Sequence, residues 1–326
     1  MSREAKSKTL NDTGLSAIAN NTGSRMVNRN GTYNVVKVGG PAIKLNDTYH
    51  YLITMPWWKF NIGVLCVYAF VNTVFATAYF FIGLDQLTGI VEGSAYRKFL
   101  DAFFFSAQTL TTVGYGRIAP VGISVSILAA AEGMVGLLGF ALATGLLYGR
   151  FSRPQAGIVY SRVALVSPFK GHSGFMFRIA NSRRSELTDV EVQVSFALNE
   201  DPVDGKVIRK FYQFPLEVSK INMFPLNWTL VHDIKNDSPF YKITKEELIA
   251  RNGEILITIK AFDLTFSQTV YSRASYKAEE IFYGGKFIMC YETKENGKTY
   301  LYLNRLSEYD LVDLPVENQV SEVVSK

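Results

Sequence analysis

Residues 96–120 read YRKFLDAFFFSAQTLTTVGYGRIAP, and the placement of this stretch decides the fold. Phe99 to Thr111 carries apolar residues at helical spacing, with no Pro or Gly. Its 13 residues fall short of the about 20 that a helix needs to cross a hydrocarbon core. A half-span of this kind has to sit inside protein, because lipid cannot satisfy the backbone where the helix stops. The helix runs out at Thr112-Val113-Gly114-Tyr115-Gly116. Gly114 and Gly116 take left-handed backbone without a Cβ penalty, so carbonyls of successive residues can be aimed the same way.

On either side lie long apolar stretches. Lys59 and Asp85 enclose 25 residues without a charge. Ile118 to Gly149 contains one charge, Glu132. Both are long enough to span, which predicts membrane helices over 58–84 and 118–149, an outer loop over 85–98 and a short helix over 99–111. Two spans put both ends of the chain on one side. Lys37, Lys44 and Lys59 precede the first span, and Arg150 and Arg153 follow the second, so that side is the cytoplasm. Residues 1–59 hold 8 basic and 3 acidic side chains, an excess just ahead of the first span and so a membrane pattern rather than a nucleic-acid one. Tyr51, Trp57 and Trp58 are candidate interfacial anchors. Tyr49, Leu52, Ile53 and Trp57 recur on one side of 46–57, with Asn46 or Asp47 as a cap and Pro56 as a breaker, which predicts a short helix lying in the interface. Glu132 is the one intramembrane charge and therefore a functional candidate, placed behind the 112–116 segment.

The remainder reads differently. With 48% hydrophobic and 13% aromatic residues and a mean hydropathy of +0.08, the chain is not disordered overall. Residues 1–45 are polar, rich in Gly, Ser and Asn, and carry neither a cleavable signal nor an element pattern. In 155–326, Val190–Phe196 and Glu254–Lys260 alternate with period two, and Lys298–Leu303 does so more loosely. Asp204-Gly205, Asn252-Gly253 and Asn296-Gly297 are turn signals, and Thr244-x-x-Glu247 is a capping box. Many short strands with turns predict a β-sandwich. Cys66 and Cys290 are expected to be free thiols, and His50, His172 and His232 show no metal spacing. Neither a Ser/His/Asp or Cys/His set nor a G-x-G-x-x-G after a strand is present, so no enzyme and no nucleotide-gating domain is expected.

Together, DTYHYLITMPWWKF before the first span, FFFSAQTLTTVGYG, GLLYGRFSRP closing the second span, and RIANSRRSEL, WTLVHDIKNDSPFY and SQTVYSRASY in the last half resemble the prokaryotic branch of the inward-rectifier potassium channel family. The resemblance covers about residues 44–310. It implies a homotetramer with a two-helix pore and a cytoplasmic immunoglobulin-like β-sandwich that gates it and contains a central ion path. The setting it implies is a bacterial inner membrane, with both termini cytoplasmic. No cofactor is implied, and potassium is the permeant ion. TVGYG is itself the known filter sequence of potassium channels, in which four loops replace the ion's hydration shell with carbonyls. Thr112 would add its hydroxyl as the innermost layer, while Val113 and Tyr115 pack outward.

The departures from the family pattern concern Gln108, where relatives often carry Glu, and Arg117, where prokaryotic relatives tend to carry Asp. The Glu–Arg brace of eukaryotic relatives cannot form in that way, and a hydrogen bond from Gln108 is the expected substitute. Gly136 matches the hinge glycine, with close packing as the competing reading. Tyr148 matches the bulky gate residue, with an interfacial anchor as its alternative. Phe140 stands at the rectification position, where an acid is needed to attract blocking cations. Lys59, Arg150 and Arg153 are candidates for anionic-lipid contact. Asp263 is a candidate for lining the cytoplasmic ion path. A membrane-anchored β-sandwich scaffold with a silent pore segment is the alternative function.

Overall fold

The computed structural model describes residues 24–36, 38–39, 45–153, 156–203 and 206–315. Lys37, Lys44 and the Asp204-Gly205 turn lie outside the described residues, as do the side chains of Asn46 and Asp47. The chain divides into two units, one formed by 39–153 and the other by 1–38 with 154–326.

The first unit is helical: α1 (Leu45–Thr54), α2 (Trp57–Ile82), α3 (Ala95–Leu110) and α4 (Ile123–Phe151). Helices α2 and α4 are long and apolar enough to cross a membrane. Helix α1 ends two residues before Pro56, which N-caps α2 with φ −54°. Helix α3 starts four residues ahead of the expected Phe99, because Ser94 caps it by accepting from the Arg97 amide. Helix α4 starts five residues later than expected. The chain before it is drawn into a two-residue ribbon in which β1 (Leu87–Thr88) pairs with β2 (Ala119–Pro120). Ala76, Tyr79, Ala102, Phe105 and Val125 are buried where α2, α3 and α4 meet. The outward faces of α2 and α4 remain apolar and exposed, as Leu65, Phe70, Ile127 and Leu142 illustrate.

The second unit is a sandwich. Its strands are β3 (Ile158–Tyr160), β4 (Ala164–Phe169), β5 (His172–Asn181), β6 (Leu187–Val203), β7 (Lys206–Gln213), β8 (Lys220–Met223), β9 (Asn227–Ile234), β10 (Glu254–Asp263), β11 (Gln268–Lys277) and β12 (Ile281–Tyr283). One sheet runs β11-β10-β6-β7 with β8 on β6, and the other β12-β4-β5-β3 with β9 on β5. Two small ribbons follow: β13 (Gly285–Phe287) pairs with β16 (Tyr309–Leu311), and β14 (Tyr291–Thr293) with β15 (Thr299–Leu301). Period-two alternation puts Val192, Val194 and Phe196 of β6 beside Ile259, Ile257 and Ile255 of β10, on one buried face. Phe214 and Phe240 meet Phe196 there, with ring centroids 6.0 and 5.2 Å from it, and Phe175 packs against Phe214 and Phe240 at 5.3 and 5.6 Å. Thr244 caps helix α5 (Lys245–Ala250), its side chain accepting from the Glu247 amide. Asn252 follows with φ +49°, and Gly297 turns β14 into β15 with φ +73°.

Composition alone assigns no element to the first 40 residues, yet Ser24–Val36 lies against the sandwich. The backbone amides of Met26 and Val27 donate to the buried Glu254 carboxylate. Ser275 donates to the Val27 carbonyl, and Arg25 and Arg29 both pair with Glu280. Glu254 also meets Arg209 at 3.3 Å.

Two outcomes follow from this packing. Phe196→Ala should cost about 3–5 kcal/mol, read as a lower unfolding temperature of the full chain in detergent, while Tyr271→Ala on the exposed face should stay within about 0.5 kcal/mol. Burial raises the Glu280 carboxyl, but the Lys277 amide, Arg29 and Arg25 more than offset this and hold it below the usual carboxylate range. A depressed carboxyl contributes stability above its unfolded value and loses it as pH falls through the folded one. Thermal stability should therefore fall below about pH 4, and Glu280→Gln should flatten that part of the profile.

Candidate functional site

Helix α3 delivers the 112–116 segment. The segment's first amides are tied to the last turn of α3: Thr112 donates to the Thr109 carbonyl at 3.0 Å, and the Gln108 carbonyl takes the amides of Val113 at 2.9 Å and Gly114 at 3.3 Å. Thr112, Gly114 and Gly116 have φ of +59°, +54° and +79°, so every second residue is left-handed. A built Cβ at Gly114 or Gly116 meets nothing within 4 Å. These glycines therefore answer to φ and not to crowding. Thr112 adopts the same conformation with a side chain present, at a cost of about 1–2 kcal/mol; no composition rule flags it. In the single chain Tyr115 is 79% exposed and Val113 52%.

The brace beside the segment differs from the expected one. The Gln108 side chain makes no hydrogen bond within the described residues, and only its carbonyl is used. Arg117 instead pairs with the buried Asp101 of α3 at 2.8 Å, and the other Asp101 oxygen accepts the Val91 amide at 3.2 Å. Opposite, Gly89 packs so closely that a Cβ would fall 1.8 Å from the Arg117 carbonyl oxygen. Asp101 escaped the sequence reading, because an acid early in a half-span resembles a solvated end residue.

Behind α3, Glu132 is fully buried. Tyr79 of α2 donates to its Oε2 at 2.6 Å, and the Ser106 hydroxyl of α3 lies 2.5 Å from Oε1. Ser106 also lies 3.0 Å from Asn72 Oδ1 of α2. One carboxyl therefore joins three helices. The position of Glu132 was legible in the sequence; its two partners, Tyr79 and Ser106, were not.

On α4, Gly136 meets the end of α3, where a Cβ would sit 2.1 Å from the Leu110 carbonyl oxygen. Close approach alone accounts for this glycine. Gly133, Gly139 and Gly145 have open space around the same position. Phe140 and Tyr148 are each 74% exposed, two turns apart on the helix.

Two further candidates are corrected. Arg150 is half-buried and engaged within the helical unit. It donates to the Leu52 and Met55 carbonyls and stacks on Trp57 and Phe60, 4.5 and 4.6 Å from their ring centroids. It thus caps the C-terminal end of α1, whose last carbonyls lack helical partners. Asp263 is 1% exposed, and its Oδ1 accepts the amides of Thr265 and Phe266 in the β10–β11 turn, so it lines no ion path. Lys59 and Arg153 remain exposed, Lys59 over the Trp58 ring at 5.4 Å. Among the described residues no group of His, Cys, Asp or Glu could hold a metal. His232 is buried instead, stacked on Phe214 at 3.6 Å.

Both units of the chain are similar to known proteins. Residues 158–323 match the family described as inward rectifier potassium channel C-terminal domain, and residues 62–153 match the ion channel family. The chain is 34% identical over 285 residues to the inward rectifier potassium channel Kirbac3.1 of Paramagnetospirillum magnetotacticum, covering 87% of this chain and 95% of that one. It is 26% identical over 261 residues to the ATP-sensitive inward rectifier potassium channel 8 of Rattus norvegicus, covering 76% of this chain and 58% of the relative. Over 205 residues it is 29% identical to the inward rectifier potassium channel 4 of Mesocricetus auratus, covering 58% and 45%.

Gly136→Ala should destabilise the helical unit by about 1–3 kcal/mol, since the added methyl meets a backbone carbonyl that cannot step aside. Gly133→Ala, with open space, should not. Unfolding temperatures of the two variants decide the matter; equal stability would return Gly136 to the hinge reading.

Proposed function

The chain belongs to the inward-rectifier potassium channel family, and from that premise we propose that four copies assemble around one axis into a potassium-conducting pore of a bacterial inner membrane, both termini cytoplasmic. The observation that carries this reading is the left-handed alternation at Thr112, Gly114 and Gly116. It frees successive carbonyls to replace the ion's water, and four chains close each ring. Helix α3 aims its C-terminal partial negative charge toward the ion's path. Exposure of Tyr115 and Val113 fits a segment whose outer side is covered by neighbouring copies.

Tyr148 is the proposed gate. Four aromatic side chains on the axis form an apolar constriction that closes by dewetting, and the cytoplasmic sandwich moves it. Phe140 carries no charge to attract magnesium or polyamines, so strong rectification from this position is not expected. Lys59 and Arg153 are the remaining candidates for anionic-lipid contact, with Arg150 engaged by α1. The pore is not an enzyme, and family membership gives the scaffold alternative no support.

Rubidium-86 uptake into liposomes with trapped potassium tests the pore. Uptake should depend on potassium, fall to background with sodium inside, and vanish in Gly114→Ala. A tetrameric protein that gives no uptake in any of several lipid compositions would refute conduction.

A further inference from the structure

The hydrogens around Glu132 can be counted. Asn72 Nδ2 donates to the Tyr68 carbonyl at 2.7 Å, which fixes Oδ1 as the atom facing Ser106. Reversing that amide would set two oxygens against each other at the same distance. Ser106 also lies 3.4 Å from the Asn72 backbone carbonyl, a long contact to an oxygen in mid-α2, and three short contacts then remain to be filled: Ser106 to Asn72 Oδ1 at 3.0 Å, Ser106 to Glu132 Oε1 at 2.5 Å, and Tyr79 to Glu132 Oε2 at 2.6 Å. Each needs one proton. Tyr79 supplies one and Ser106 one, and an ionised Glu132 supplies none.

With a carboxylate, the single Ser106 proton must choose. Either Asn72 Oδ1 or Glu132 Oε1 is left facing a hydroxyl lone pair, in a site where Asn72, Tyr79, Ser106 and Glu132 are all fully buried. An orphaned buried acceptor is costly. A charge buried at membrane depth without a counter-ion is costlier still. None of the ion pairs among the described residues includes Glu132. With a neutral acid the count closes: Glu132 Oε1–H donates to Ser106, Ser106 donates to Asn72 Oδ1, and Tyr79 donates to Oε2.

We propose that Glu132 is held as a neutral carboxylic acid and that the Glu132–Ser106–Asn72 relay, closed by Tyr79, is the positioning element that sets α3 behind the filter. The proton assignment stands on geometry alone, while the positioning role rests on the channel reading above. Glu132→Gln preserves the pattern, since its amide donates to Ser106 and its oxygen accepts from Tyr79. Glu132→Ala deletes both contacts.

Infrared difference spectra of the full-length protein in liposomes at neutral pH test the first part. The wild type minus Glu132→Gln should show a protonated-carboxyl stretching band that moves on deuteration. Its absence would overturn the assignment whether or not the pore conducts. Rubidium uptake against competing sodium tests the second part. Glu132→Ala should lose at least tenfold in discrimination and Glu132→Gln should restore it. A Gln variant as impaired as the Ala variant would overturn the relay, and so would an Ala variant with unchanged discrimination. A wild type that shows the band but no uptake would remove the channel reading and leave the proton assignment in place.

Discussion

Backbone carbonyls that face an ion cannot also face amides. In the pore proposed above, the segment from Thr112 to Gly116 therefore gives up the ladder that holds ordinary extended chain, and its shape has to be imposed from outside. Much of the helical unit reads as a response. The Gln108 carbonyl anchors the two amides at the segment's entrance, and the Asp101–Arg117 pair holds its exit. Gly136 lets α4 come up against the end of α3, and the Glu132 cluster fixes the flank of α3. A left-handed Thr112 persists because these neighbours over-determine the backbone around it.

The same logic explains what the single chain leaves open. Tyr115, Phe140 and Tyr148 are large, apolar and uncovered. Isolated exposed apolar residues need no explanation in a globular protein. Here they lie along one segment and one helix, each of which has its other side packed within the chain. Exposure so distributed is the expected face of one quarter of a fourfold pore.

Legibility in the sequence followed the range of the interaction. Period-two alternation in β6 and β10, the long apolar runs of α2 and α4, and the Thr244 cap are local, and all were readable. Helix starts were less so, because Ser94 and the β1–β2 ribbon act before the apolar pattern begins. Side chains that act across the fold left little trace. Arg150 at the end of a span looks like any interfacial cation until its contacts with Leu52 and Met55 are known. Asp263 reads as a candidate lining of the ion path, although Asp ahead of Leu264-Thr265-Phe266 is also an ordinary Asx-turn signal. Ser24–Val36 had no readable pattern, since hydrogen bonds and arginine pairs hold much of it.

Two buried glutamates show how the same residue type is used under different constraints. Glu254 gains a guanidinium, Arg209 at 3.3 Å, and the amides of Met26 and Val27. Arginine is available in the sandwich because solvent is a few residues away and the long side chain can reach inward. Glu132 sits among α2, α3 and α4, where an arginine would need its own compensation at membrane depth. Hydroxyls from Tyr79 and Ser106 are the donors such a site can hold, and hydroxyls carry one proton each. Because the Ser106 hydroxyl also faces Asn72 Oδ1, two hydroxyl protons leave one of three contacts unfilled, and a neutral carboxyl would fill it. The neutrality proposed for it is what the membrane's exclusion of counter-ions would require, and the proposed filter would then face no fixed negative charge from Glu132.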